Sequence, residues 1–179
     1  MNRASKVVAL CGGVGGAKLA WGLAQILPPE QLTLIGNTGD DFTHLGLHIS
    51  PDLDTVMYTL AGLNNRELGW GLAGESWHCM QALATLGGET WFRLGDRDLA
   101  THFFRTQALQ RGETLTAVTQ QLCQSLGVQH RLLPMCNEAL RTRIDTEEGE
   151  LAFQDYFVRR QCQPAVRAVH FSGTGEARL

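Results

Sequence analysis

The sequence predicts an α/β fold, a Rossmann-like and mostly parallel sheet with flanking helices, and three observations carry that prediction. Val7-Val8-Ala9-Leu10-Cys11 is a continuous apolar run, the pattern of a strand covered on both faces. It breaks at Gly12-Gly13-Val14-Gly15-Gly16 and passes into a helical pattern. A second apolar run, Leu32-Thr33-Leu34-Ile35, follows within the length of one βαβ unit, normally right-handed. The 179 residues suit one domain, expected over 1–179, and 44% hydrophobic against 18% charged residues is enough to build a core and excludes wholesale disorder.

Each element has its own signal. The first helix is expected over 17–27, with Leu19, Leu23, Ile26 and Leu27 on one face and Pro28-Pro29 as its stop. Ser50-Pro51-Asp52-Leu53-Asp54 reads as a helix start: a serine able to cap, proline at the first position, and carboxylates where the helix dipole favours them. Val56, Met57, Leu60 and Leu63 give that helix a buried stripe. A glycine-rich segment at 69–74 leads to a helix near 77–86 and a strand at 90–94. Gly95-Asp96-Arg97-Asp98 is a charged turn opening a helix through Leu109, with Asp98 able to cap. A further helix is expected at 115–126, a strand at 128–133, extended segments within 141–160 and a final strand at 166–171.

Fifteen basic against eighteen acidic residues leave a net charge of −3, which argues against binding nucleic acid through the overall field. No run of eighteen apolar residues is present, and the opening apolar run is too short for a signal-peptide core, so the expected location is cytoplasmic. The five cysteines form no CxxC pair and read as reduced, mostly buried thiols. The six histidines follow no metal-ligand spacing, and the chain has no HExxH.

The glycine turn is the strongest chemical cue. Glycines between a strand and a helix let backbone N–H groups approach an oxyanion, and the helix dipole favours negative charge there. The spelling matches neither standard fingerprint: Lys18 occupies the last glycine slot of the dinucleotide pattern, and Ala17-Lys18-Leu19 is not Gly-Lys-Ser/Thr. Lys18 either neutralises phosphate or is a solvated lysine. Asn37-Thr38-Gly39-Asp40-Asp41 falls at the carboxyl end of the second strand, the ligand-binding edge of open α/β sheets. With Asp52 and Asp54, these carboxylates suggest Mg²⁺, a cation that prefers hard oxygen ligands. The alternative is two turn residues and two helix-capping ones. Arg93, Asp96, Arg97, Asp98 and His102 form a third polar group, in which Arg93 suits a phosphate or an anionic ring.

Gly12-Gly13-Val14-Gly15-Gly16-Ala17-Lys18-Leu19 resembles the opening of the 2-phospho-L-lactate transferase family. So do Gly36-Asn37-Thr38-Gly39-Asp40-Asp41, Ser50-Pro51-Asp52-Leu53-Asp54-Thr55, Leu94-Gly95-Asp96-Arg97-Asp98 and Phe153-Gln154-Asp155-Tyr156-Phe157, in the family's order. The resemblance implies an Mg²⁺-dependent phosphotransferase of coenzyme F-420 biosynthesis. Such an enzyme passes a phospho-acid (2-phospholactate, phosphoenolpyruvate or 3-phosphoglycerate) from its guanosine diphosphate conjugate to the ribityl hydroxyl of the deazaflavin Fo, releasing GMP. It assigns Gly12, Gly13, Gly15, Gly16, Lys18 and Asn37 to the nucleotide and its phosphates. Asp54 and Arg93 match positions that contact the deazaflavin, Asp54 is the catalytic candidate, and Asp41 and Asp54 are the metal candidates.

Two departures accompany the resemblance. Family members continue for a further segment containing a Gly-Pro-Ser-Asn-Pro-like stretch, so this chain is expected to correspond to the family's N-terminal part, with an incomplete core whose exposed apolar surface would favour association, for example as a homodimer. Cys136 stands where the family commonly has serine. The competing expectation is a related branch with similar glycine and Asn-Thr-Gly-Asp-Asp blocks, a non-enzymatic nucleotide-sugar-binding regulator of carbon metabolism and cell-wall growth. The Ser50–Asp54 and Leu94–Asp98 blocks favour the transferase.

Overall fold

The structure, a computed structural model, describes residues 5–178; residues 1–4, at the start of the segment weighed above as a leader, and residue 179 lie outside the described residues. The chain opens as expected: β1 (Val7–Cys11), α1 (Gly13–Ile26) and β2 (Leu32–Gly36) form a βαβ unit in which β1 and β2 pair in parallel. The third parallel strand is β5 (Arg131–Pro134), and the order is β1-β2-β5. Between β2 and β5 lie an antiparallel hairpin, β3 (Phe42–His44) and β4 (Leu47–Ile49), and the helices α2 (Pro51–Leu60), α3 (His78–Thr85), α4 (Asp98–Gln110) and α5 (Leu115–Ser125). β6 (Arg141–Thr146), β7 (Gly149–Ala152) and β8 (Val166–Ser172) form a separate antiparallel sheet, with a π-helical turn at Asp155–Arg159 between β7 and β8. No helix among the described residues is long and apolar enough to cross a membrane.

The α/β class holds, but the sheet is only partly parallel and not clearly Rossmann-like overall. The final strand pairs antiparallel with β6 instead of joining the parallel sheet. No strand forms at 90–94: Trp91 and Phe92 pack as aromatic rings around Phe42 and His44, with the Phe42 and Phe92 centroids 4.8 Å apart. The expected strand at 128–133 begins three residues later, at Arg131.

The register explains the core. Val7, Ala9 and Cys11 align with Leu32, Leu34 and Gly36, and Leu34 aligns with Leu132, so these side chains share one face. That face is buried against α1, α2 and α5 through Ala17, Ala20, Leu53, Val56, Met57 and Val118. The opposite face of β1 is open, with Val8 61% and Leu10 76% exposed, where the apolar run had predicted cover on both sides. A continuous apolar run describes what a strand can bury, whereas the helices present determine what it does bury. The first helix differs in the same way: Ala17 and Ala20 face inward, with Leu23 and Leu27 packing on the core, while Leu19 and Ile26 are exposed. The inward residues are small because the helix lies close: a Cβ at Gly16 would sit 3.0 Å from Cys11 Cα.

The charged turn at 95–98 is also built differently from the expectation. Asp98 is the first residue of α4, and the amides of Arg97 and Asp98 donate to Glu75 Oε2 and Oε1 at 2.9 and 2.8 Å. Asp96 reciprocates at α3, accepting from the His78 and Cys79 amides and from Ser76 Oγ. These bonds hold the Asp96 carboxyl below the usual range, the Ser76 hydroxyl first among them. Each helix start is thereby satisfied by a carboxylate from the other's approach loop.

Candidate functional site

Three chain segments meet at the carboxyl end of the parallel sheet: the glycine turn after β1, residues 37–41 after β2, and the first turn of α2. Gly13 has φ +50°, a left-handed conformation that favours glycine, and Gly16 N–H closes the first helical turn on Gly12 O at 3.0 Å. Opposite this backbone stands Asp52, whose carboxylate oxygens would be 3.3 Å from a Cβ at Gly12 or Gly13. Asn37 links the segments: its Nδ2 donates to Asp52 Oδ2 at 2.8 Å and its Oδ1 accepts from Gly39 N–H at 3.0 Å. Its own N–H bonds Cys11 O, which fixes it at the end of β1.

Asp40 lies in the same cluster. Burial, followed by the charge of Asp52, pushes its carboxyl up to about 6, although Asn37 and Thr142 donate to it. Asp52 is raised as well, first by burial, against the opposing hydrogen bonds of Asn37 and the Gly13 amide. The charge of Asp41 raises both. Asp41 is itself 2% exposed; its Oδ2 accepts from Ser50 Oγ at 2.8 Å and faces His48 Nε2 at 3.1 Å, while its buried Oδ1 has no partner. Three carboxylates thus approach one another beside backbone amides, with no lysine or arginine forming an ion pair with any of them among the described residues.

Asp54 has a different environment. It points into the interface of α2 and α4, where Arg105 grips both of its oxygens and His102 Nδ1 lies 3.8 Å away. Arg105 is 1% exposed; burial lowers its basicity, but the Asp54 charge and hydrogen bonds more than offset this and hold it above its ordinary value. The network continues through His102 to Asp98 at 3.1 Å and from Tyr58 Oη to Asp98 Oδ1 at 2.6 Å. Asp98 therefore serves this network and not a helix cap, and Ser50, expected to cap α2, instead donates to Asp41. Asp54, expected as a metal ligand and acceptor-contacting residue, thus has its carboxylate paired with an internal guanidinium.

The remaining candidates are more exposed. Lys18 lines a groove of about 780 Å³ with Val14, Trp21, Asn64, Arg66 and Leu68, beginning at the first turns of α1. Neither Lys18 nor Arg66 forms an ion pair among the described residues. Gly15 is open to solvent, and nothing stands within 4 Å of where its Cβ would be. Arg93 is exposed, its guanidinium 4.1 Å from the centre of the Trp77 ring. It precedes the 95–98 turn, and among the described residues no hydrogen bond or ion pair joins it to the carboxylates. Cys11, Cys123 and Cys136 are buried thiols, whereas Cys79 and Cys162 are exposed. Cys136 Sγ lies 3.6 Å from Thr38 Oγ1, so the thiol keeps a weak polar contact behind the Asn37–Asp41 loop. Asp155, within the Phe153–Phe157 block, faces Arg159 at 3.8 Å on the π-helical turn.

Sequence reasoning missed His48, Tyr58, Glu75 and Arg105. One signal for Arg105 was available: Asp98, Thr101, His102 and Arg105 recur at the helical spacing normally reserved for apolar core positions.

Residues 7–178 match the family model described as 2-phospho-L-lactate transferase CofD. The phosphoenolpyruvate transferase of Streptomyces avermitilis is 48% identical over 170 residues, covering 92% of this chain and 53% of that protein. The 2-phospho-L-lactate transferase of Methanospirillum hungatei is 42% identical over 160 residues, covering 89% and 54%. A crystal structure of a UPF0052 family member from Bacillus halodurans superposes with a TM-score of 0.55 at 16% identity, covering 96% of this chain and 52% of that one, a likeness of fold. The chain spans about half the length of the curated relatives it matches.

Proposed function

Because this chain belongs to the 2-phospho-L-lactate transferase CofD family, we propose that it carries the phosphate-handling site of an F-420-pathway transferase. In this reading a phospho-acid moves from its guanosine diphosphate conjugate to the ribityl hydroxyl of the deazaflavin Fo. The hydroxyl oxygen bonds to the phosphorus bearing the acid, the bond from that phosphorus to the bridging oxygen breaks, GMP leaves with that oxygen, and the hydroxyl proton passes to solvent. The carrying observation is the junction of the glycine turn with Asn37, Asp40 and Asp52, where amides and carboxylates face each other across one small space.

With the Gly13 amide bonded to Asp52 and Gly16 N–H to Gly12 O, the turn's N–H groups that suit the diphosphate are those of Gly12 and Gly15, and Lys18 adds a cation at the mouth of the groove. Asn37 holds the carboxylate side of the site in register with the turn. Arg93, exposed beside Trp77, is the acceptor-side candidate for the deazaflavin ring. Such a transfer needs positioning and charge neutralisation more than a protein nucleophile.

Mg²⁺ fits the donor set. Among the described residues no three acidic, histidine or cysteine side chains converge into a metal cage, but Mg²⁺ is commonly held by one or two carboxylates with substrate phosphates and water. Asp40 and Asp52 supply those carboxylates, and the unpartnered Oδ1 of buried Asp41 supports its place beside them. When bound, the ion would neutralise charge on the diphosphate. Asp54 stands behind this wall and, through Arg105, keeps the first turn of α2 against α4.

The test supplies the protein with Fo, Mg²⁺ and each guanylylated phospho-acid in turn, with mass spectrometry of the deazaflavin product. A product heavier by one phospho-acid is expected and identifies the donor. Tight nucleotide-sugar binding without binding of Fo would favour the regulatory alternative.

A further inference from the structure

Asp41 is divided between its two oxygens. Oδ2 is engaged by Ser50 Oγ at 2.8 Å and His48 Nε2 at 3.1 Å, and Oδ1 is buried without a partner. A buried acceptor left unmatched is costly and uncommon, whereas here its twin takes two partners. Ser50 can only donate to a carboxylate oxygen, and the His48 contact calls for a proton on Nε2.

The two donors are themselves fixed. Ser50 is wholly buried and precedes the first residue of α2. His48 N–H donates to Thr106 Oγ1 at 2.8 Å, and its carbonyl accepts from Arg105 at 3.5 Å, so α4 fixes the strand that carries the imidazole.

Resting on the proposed metal-dependent reading, we propose that His48 and Ser50 are positioning residues. They hold Asp41 by Oδ2 and leave Oδ1 for a divalent cation whose shell substrate phosphate and water would complete. Partners of this kind, one step removed from the ion, set the orientation and basicity of a carboxylate.

The test is Mn²⁺ binding in the presence of GDP, followed by the loss of the free-ion paramagnetic resonance signal, alongside thermal melting. His48→Ala and Ser50→Ala are expected to weaken Mn²⁺ binding by roughly ten-fold or more. His48→Gln and Ser50→Thr, which keep a donor, are expected to restore most of it. In an Asp41→Asn background, His48→Ala should make little further difference. If His48→Ala and Ser50→Ala bind Mn²⁺ like the unsubstituted protein, or weaken it equally in the Asp41→Asn background, the positioning role is overturned. If the unsubstituted protein binds no Mn²⁺, the metal-dependent reading fails, and this inference with it.

Discussion

Asp52 and Asp54 are two residues apart on one helical turn, yet they stand in opposite electrostatic environments. Asp54 is inside the protein, its charge matched by a guanidinium that is itself buried. Asp52 faces the glycine turn, shares its space with Asp40 and Asp41, and has an amide side chain and a backbone amide for company but no cation. The first arrangement is complete without a ligand. The second stores repulsion that an external cation, or protonation, relieves. The contrast separates a carboxylate with an internal counter-charge from carboxylates without one more sharply than their shared sequence block does.

The largest expected effect breaks the complete side. Arg105→Met leaves Asp54 buried and unpaired, and removing one partner of a buried pair costs about 3–5 kcal/mol. Urea unfolding should report this loss, with Asp54→Asn weakening the protein in the same way. If Asp54→Asn kept full stability yet abolished transfer, the structural assignment would give way to a catalytic one.

A second, smaller effect sharpens the other side. Asp40 is raised from the ordinary carboxylate value to about 6, so the folded form binds its proton more tightly than the unfolded chain. Stability from this group is therefore present at low pH, falls as pH rises from about 4 to 6, and is level above that. Asp40→Asn should flatten this part of the melting profile and raise the melting temperature near pH 7. Mg²⁺ should do the same for the unsubstituted protein while leaving Asp40→Asn nearly unmoved, because only the native form gains a ligand. Melting curves at pH 4.5 and 7 with and without Mg²⁺ check both statements.

The capping exchange and the exposed arginine give the smallest effects. Glu75→Ala removes the acceptor for two α4 amides and should cost about 0.5–2 kcal/mol. Arg93→Ala gives up only an exposed cation–π contact, about 0.5–1 kcal/mol, so it should melt almost normally while losing transfer to Fo if its proposed role holds. Near-normal transfer by Arg93→Ala would remove it from the acceptor site.

Local pattern was enough to identify β1, the glycine turn, α1 and β2, because a strand, a chiral turn and an amphipathic helix are encoded by neighbouring residues. The same holds for Pro51 opening α2 and for the approximate limits of α4 and α5. The glycines and the run from Asn37 to Asp41 could be assigned to a ligand edge because β2 follows a βαβ crossover, which determines where its carboxyl end lies. What the sequence by itself determined was thus the local elements and the residues gathered near their ends.

Only the tertiary structure decided which carboxylates carry an internal counter-charge. Arg105 lies 51 residues beyond Asp54 in the chain, and no local spacing announces that pairing. It also set the faces of α4, turning His102 and Arg105 inward and leaving Phe103 and Phe104 half-exposed. The reason is that periodicity tells which side chains share a helix face, while what that face meets depends on how distant segments pack. A buried polar stripe paired with α2 and a solvated one have the same spacing.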